Sequence, residues 1–397
     1  MPRPRSHLET DPTLRYLDAQ ITQSSESFPT RVYLMRLIFD SHLDLSWSAL
    51  SYNRDLTESV TQINQREAAM TAGRGFGTAT TSLPEMRRGR VAVCLGTLLA
   101  RAKRHVQPAG GHLRTDLDYG TQTIAYAISQ GQLAYYKLLE QQGEIKRIDT
   151  AAELDAHWQL WQQQDDVSQL PIGLILAMEG ADPIVDPSQV EAWFRDGLRS
   201  VMLSHYGKSH YSVGTGDDGP LTPRGREMLQ EFERVGMILD LTHLADQSFF
   251  EALERFNGPV MASHNNCRAL VHADRQFSDE QIRLLIERGA VIGVVCDAWM
   301  LQPGWQIGHT QPAGLTMSAL VDHIDHICQL AGNARHAGIG SDLDGGYGTE
   351  QTPSDLKTIA DLQKLEALLS ERGYSSDDID AIFHGNWLNF FRRALPA

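Results

Sequence analysis

Short apolar runs recur along this chain, separated by longer segments of helical character, and no other feature restricts its fold as much. The runs occupy residues 32–38, 91–97, 172–178, 200–204, 237–241, 259–263, 290–295 and 337–341. Runs of this length and β-branched content suit strands buried on both faces. The stretch 121–142 reads as a long helix with apolar positions at Ile124, Ile128, Leu133, Leu138 and Leu139. Thr222-Pro223 sets a cap residue before a first-turn proline, Asn257-Gly258 ends a helix, and Ser278 and Gln281 have capping-box spacing. Eight strands alternating with helices predict a (β/α)8 TIM-type barrel, with extra C-terminal helices over 354–372 and 376–395. An open doubly wound sheet shares the alternation, but no G-x-G-x-x-G follows the first run. Gly73-Arg74-Gly75-Phe76-Gly77 follows a helix-like stretch and reads as a flexible loop. Residues 31–397 read as one barrel domain behind a polar lead at 1–30.

Composition narrows the partners. The 397 residues are 42% hydrophobic and 21% charged, enough for a large core. A net charge of −15 disfavours nucleic acid and anionic membrane surfaces. No apolar run approaches the roughly 18 residues of a membrane span. The first 30 residues lack the apolar core of a signal peptide. A soluble, cytoplasmic protein is expected. Cys94, Cys267, Cys296 and Cys328 form no CxxC pair, and no disulfide framework is expected.

The polar residues that follow the apolar runs carry the chemistry. In Phe39-Asp40-Ser41-His42-Leu43-Asp44, His42 and Asp44 share strand parity and would project together. Glu179, His205, His243, His264 and Asp342 each end a later run. Seven such residues on six strands fall on the face where barrel enzymes build their sites. Imidazoles and carboxylates without thiolates suit zinc, with manganese, cobalt or iron as alternatives. Five ligands exceed the three that one catalytic zinc commonly takes. Two ions about 3.5–4 Å apart and sharing a carboxylate would use all five, with Glu179 as the natural bridge.

The segments His42-Leu43-Asp44, Met178-Glu179-Gly180, Leu203-Ser204-His205, Asp240-Leu241-Thr242-His243, Ala262-Ser263-His264 and Gly340-Ser341-Asp342-Leu343-Asp344-Gly345 resemble the membrane (renal) dipeptidase family of zinc metallopeptidases, which have an amidohydrolase-type barrel. The resemblance spans residues 39–395. It implies two zinc ions per chain, one on His42 and Asp44, the other on His243 and His264, bridged by Glu179. It implies a bridging hydroxide that attacks the peptide carbonyl of an L,L or L,D dipeptide. His205 would touch the substrate and donate to the oxyanion, and Asp342 would be the catalytic acid/base. Arg275 would hold the substrate carboxylate, and Asp344 is the runner-up for the proton shuttle and a further substrate contact. Homodimers are common in that family. The animal members with a signal peptide and lipid anchor differ from this chain, which shows neither signal.

Other readings stand beside these. The same metals would serve acyl-amino acids, cyclic amides or lactones, or a non-catalytic metal-binding barrel. Arg275 reads equally as a solvated arginine, and His205 as a core histidine. His210 competes with His205, and Asp40 reads as a structural partner inside the barrel. His323, His326 and His384 are expected on the surface. The loops at 101–119 and 298–317 are expected to shape the pocket.

Overall fold

Eight strands pair in parallel in the computed structural model, which describes residues 35–70, 73–103 and 117–397. The barrel strands are β1 (Ile38–Leu43), β2 (Val91–Leu99), β3 (Ile172–Glu179), β4 (Leu198–Met202), β5 (Ile238–Asp240), β6 (Val260–Met261), β7 (Ile292–Val294) and β8 (Ala337–Ile339). They run in the order β7-β8-β1-β2-β3-β4-β5-β6. An isolated parallel bridge, Ala262 with Ile292, all but closes the ring between β6 and β7. A short strand, Ile145–Arg147, pairs with the start of β3 on the edge opposite β2. This is the expected (β/α)8 barrel. Residues 35–397 form one compact unit, and the lead at 1–30 lies outside the described residues.

The first strand is displaced from its expected place. Of the run 32–38, residues 32–34 lie outside the described residues, and pairing begins only at Ile38. The ladder to β2 joins Ile38 to Val91 and Leu43 to Gly96, so the polar motif is itself the strand. Asp40 and Ser41 are tolerated inside the barrel because each finds partners there. Ser41 donates to the Ser263 carbonyl at 2.5 Å and to the Ile339 carbonyl at 3.0 Å. Asp40 accepts from the Ser341 amide at 2.9 Å and from its hydroxyl at 2.5 Å. At Gly293 and Gly340 a Cβ would sit about 2 Å from the Ser263 carbonyl, so neither position has room for a side chain.

Local signals at the helix ends are realised. Ser278 and Gln281 form a capping box at Asp279–Glu287, Thr222 caps Pro223–Val235, and Gln122–Gln141 matches the long helix. The two C-terminal helices are more broken than expected. The first begins as a 3-10 stretch, Ile359–Lys364, before Leu365–Arg372. The second is interrupted by a π turn at Ala381–Gly385 before Asn386–Ala394. Trp387 of that last helix donates to the Ile339 carbonyl at 3.1 Å, and Phe391 stacks on Phe39 at 5.2 Å. The segment docks on β1 and β8 through this aromatic contact.

His323 is not a surface residue. It is buried on the inner face of Ser318–Ala331, where its Nδ1 accepts from the Cys267 amide at 3.0 Å. His326 is partly buried against Asp279 at 2.7 Å, and His384 lies partly buried against Trp158. The glycine-rich turn at 73–77 is pinned as well. The Gly77 amide donates to Glu67 at 2.8 Å, the Gly75 amide to Glu350 at 3.1 Å, and Arg54 reaches the Gly75 carbonyl. All four cysteines are buried free thiols. Among the described residues no helix is long and apolar enough to cross a membrane.

Candidate metal centre

His42 stands on β1 inside the barrel mouth, fully buried, and its Nε2 has no hydrogen-bond partner. Around that atom lie Glu179 Oε2 at 3.6 Å, Asp44 Oδ1 at 3.8 Å and Asp342 Oδ1 at 3.8 Å. Asp44 caps the helix Leu45–Tyr52, and the Thr97 hydroxyl fixes its carboxylate. Glu179 closes β3 and turns its other oxygen, Oε1, to His243 at 3.2 Å, His264 at 3.3 Å and His205 at 3.7 Å. The Nε2 atoms of His243 and His264 approach to 3.1 Å. Their Nδ1 atoms are held from behind by the Thr215 and Ser263 hydroxyls, at 3.1 Å and 3.0 Å. Such outer contacts orient metal-binding imidazoles.

Three ligand sets lie within 4.8 Å: His42, Asp44 and Glu179; Glu179, His243 and His264; and His42, His264 and Asp342. The first two share only Glu179. The electrostatics describe a cluster short of positive charge. Burial opposes a charged His42, yet Glu179, Asp44 and Asp342 overcome it and push its pKa up to about 10. Burial and the neighbouring Glu179 push Asp44 up to about 7. Burial drives the pKa values of His243 and His264 well down, leaving neutral imidazoles with free lone pairs. An orphaned buried imidazole nitrogen and crowded carboxylates are what divalent cations relieve, so the residues fit a metal centre.

The centre floors a cavity of about 590 Å³. His205 borders it, and Arg101 Nη1 lies 3.3 Å from the His205 Nδ1. A guanidinium only donates, so that Nδ1 accepts and the ring proton sits on Nε2. Arg101 is itself gripped by Asp118 through Nε at 2.6 Å and Nη2 at 2.7 Å. His205 therefore lines the cavity, whereas His210 turns away and pairs with Asp182 at 3.0 Å.

Arg275 is not solvated. It is 3% exposed, donates to the His264 carbonyl at 2.9 Å and to Asn265, and lines the cavity. Asp342 also lines it, and burial raises its pKa well above the usual carboxylate range. Asp344 does not reach the cavity. Its oxygens accept from the Thr80 amide at 2.8 Å, the Thr80 hydroxyl at 2.7 Å and the Thr81 amide at 3.0 Å, with Arg54 at 3.4 Å. A spacing of two would set Asp344 on the same face as Asp342 in an extended strand, but β8 ends at Ile339 and both aspartates take positive φ, 56° and 63°. Their side chains consequently diverge.

Asp297, Tyr347 and Gln351 also line the wall without having been singled out in the sequence, while Arg101 opens the 101–119 loop expected at the pocket, of which residues 104–116 lie outside the described residues. Asp297 follows β7 as the predicted ligands follow their strands, so the same positional rule reaches it. Arg101 likewise follows β2, and its place there is set by pairing with Asp118.

Known proteins resemble this chain in sequence and fold. Residues 29–395 match the family model for membrane dipeptidase, peptidase family M19. Dipeptidase tcpJ of Claviceps purpurea is 29% identical over 226 residues, 55% of this chain and 50% of the relative. Dipeptidase 3 of Macaca fascicularis is 27% identical over 326 residues, 79% of this chain and 63% of the relative. The chain thus spans about half to two thirds of the length of these curated relatives. A metallopeptidase from Rhodobacter sphaeroides, solved with a phosphinate mimic of the dipeptide L-Ala-D-Ala, superposes with a TM-score of 0.70 at 21% identity, covering 91% of this chain and 99% of the other. That likeness establishes the fold. Because the family model extends over nearly the whole chain, the protein belongs to the membrane dipeptidase family of metallopeptidases, M19.

Proposed function

We propose that this protein is a dipeptidase working with two zinc ions, and the observation that carries the reading is the sharing of Glu179 by two separate ligand sets. His42 and Asp44 would hold one ion and His243 and His264 the other, with Glu179 bridging. When bound, the ions supply a hydroxide nucleophile at neutral pH and polarise the scissile carbonyl.

The chain's own groups do the rest. Arg275 has five N–H donors, and its bonds to Asn265 and the His264 carbonyl leave others free for a carboxylate. A carboxylate held there sets the peptide bond one residue away over the floor of the cavity, which favours dipeptides over longer chains. His205, with its proton on Nε2, donates to the developing oxyanion. Asp342, beside the ligands, takes the proton of the attacking group and passes it to the leaving amine. L,D as well as L,L dipeptides are included because the R. sphaeroides relative is described with a mimic of L-Ala-D-Ala. A homodimer is the expected assembly, and light scattering of the metal-loaded protein reads it directly.

The test is a hydrolysis screen of L,L and L,D dipeptides on zinc-loaded protein, with Asp342→Asn as control. Free amino acids are the expected products. Asp342→Asn should lower kcat by about 10²–10⁴-fold, the range for a lost general acid/base, with zinc content retained. Protein carrying two zinc ions that cleaves no dipeptide would refute the reading.

A further inference from the structure

One acid on the cavity wall has no part in the reaction just described. Asp297 follows β7 and is 6% exposed. Its Oδ1 accepts from Gln351 Nε2 at 2.8 Å and from the Trp299 amide at 3.3 Å. The Gln351 amide cannot be turned the other way, because its Oε1 accepts from Arg74 at 3.1 Å. The Trp299 side chain also hydrogen-bonds the carboxylate, and the residue lines the cavity. All of these partners are neutral, and a buried carboxylate without a paired cation is costly. Burial pushes its pKa up to about 7.

The place of Asp297 relative to Arg275 is fixed by the backbone. The Asn266 side chain accepts from the Val295 amide at 3.0 Å and donates to the Val295 carbonyl at 3.2 Å. Gln276 donates to the Met300 carbonyl at 2.8 Å. The segments carrying Arg275 and Asp297 are therefore latched together on either side of each residue. Both line one cavity, and the Arg275 charge acts to lower the Asp297 pKa without an ion pair between them among the described residues. The other arginines of the wall are engaged, Arg101 by Asp118 and Arg74 by Gln351. Asp44 and Glu179 belong to the metal sets, and Asp342 stands beside His42. Asp297 is left as an acid next to the carboxylate-binding arginine.

We propose that Asp297 selects dipeptides whose C-terminal residue bears a cationic side chain, such as lysine, ornithine or arginine. The inference rests on the dipeptidase reading. With the terminal carboxylate on Arg275, the group brought to Asp297 is the side chain of that same residue. An ammonium or guanidinium there gives the carboxylate the charge-assisted hydrogen bond that its neutral partners do not. A neutral side chain leaves the buried carboxylate without a cation, and an acidic one adds repulsion.

The experiment compares alanyl-lysine with alanyl-norleucine, each with an L or a D C-terminal residue, on zinc-loaded full-length protein. Norleucine matches lysine in length and lacks only the charge. The expected kcat/KM ratio favours lysine by roughly 10- to 100-fold, the worth of one hydrogen bond to a charged group in a buried site. Asp297→Asn, which keeps an oxygen for Gln351, should bring that ratio close to one. A parallel arm measures binding of free lysine and free norleucine by calorimetry, with the same preference expected and the same loss in Asp297→Asn. Dipeptides cleaved with a ratio near one in the natural protein would overturn the inference and leave the dipeptidase reading intact. A ratio that survives Asp297→Asn, with both substrates weakened alike, would overturn it too. If no dipeptide is cleaved, the dipeptidase reading fails. The calorimetric arm then decides alone, and equal binding of the two amino acids rejects the cation site.

Discussion

Glu179→Gln tests the shared carboxylate most directly. The substitution keeps the shape of the side chain and its place at the end of β3, but removes the charge that faces His42 on one side and His243 and His264 on the other. Two of the three ligand sets contain this residue and only it in common. A bridged pair therefore loses affinity at both positions at once, whereas two independent sites would lose one.

The effect can be read as stability. An ion present at one hundred times its dissociation constant stabilises the fold by about 2.7 kcal/mol. Unfolding entropy of about 2.1 cal/mol/K per residue gives about 0.8 kcal/mol/K for the 397-residue chain. Each ion at that excess then raises Tm by about 3 °C, and two raise it by about 7 °C. Differential scanning calorimetry with and without zinc, alongside metal analysis, should show the full shift and two ions in the natural protein. Glu179→Gln should show less than half of each. A variant that keeps two ions and the whole shift would refute the bridging role of Glu179.

Three further substitutions probe the surrounding groups. Arg275→Lys keeps a charge but loses the paired geometry, so kcat/KM for dipeptides should fall by roughly 10- to 100-fold, mostly through KM; steady-state kinetics with unchanged metal content checks this. Asp344→Asn sets an amide N–H₂ against donors from Thr80 and Thr81 and should cost about 1–3 kcal/mol, or about 1–4 °C in Tm, with metal content unchanged. A normal Tm with turnover lost would instead return Asp344 to the proton shuttle. Arg101→Met frees the His205 ring to exchange tautomers and should lower kcat about tenfold with little change in KM, while Arg101→Lys, which also only donates, should restore most of it.

The barrel and the metal-ligand candidates were legible because both rest on short-range rules. Apolar runs followed by helix caps mark βα units, and the residue after each run lands on one face of the barrel. Glu179, His243 and His264 come together from three runs in this way. The start of β1 was not legible. Residues 32–38 have the stronger apolar pattern, but the strand is stabilised by contacts of Asp40 and Ser41 with Ser341 and Ser263, more than 200 positions away. The burial of His323 has the same origin, since its partner, the Cys267 amide, lies 56 positions off. Arg275 drew its prominence from the family resemblance alone, and its burial follows from the Asn265 and His264 acceptors that the fold brings to it.

The contrast between Asp342 and Asp344 shows where parity ceases to be a guide. Strand periodicity holds while φ and ψ stay extended, and the candidate ligands His42 and Asp44 already pass beyond it, since Asp44 sits at the N-cap position of a helix. Among the described non-glycine residues only five have positive φ, and His243, Asp342 and Asp344 are three of them. Such conformations are uncommon outside glycine and persist where surrounding contacts fix them. At His243 the contact is Thr215, which meets both the ring and the carbonyl. At Asp344 it is the pair of threonine amides. These turns send one aspartate to the cavity and its near neighbour into the wall, a choice that two identical residue types at a spacing of two do not encode. The residues that depart from local rules are thus concentrated at the cavity mouth, where side-chain direction matters more to the chemistry than backbone comfort.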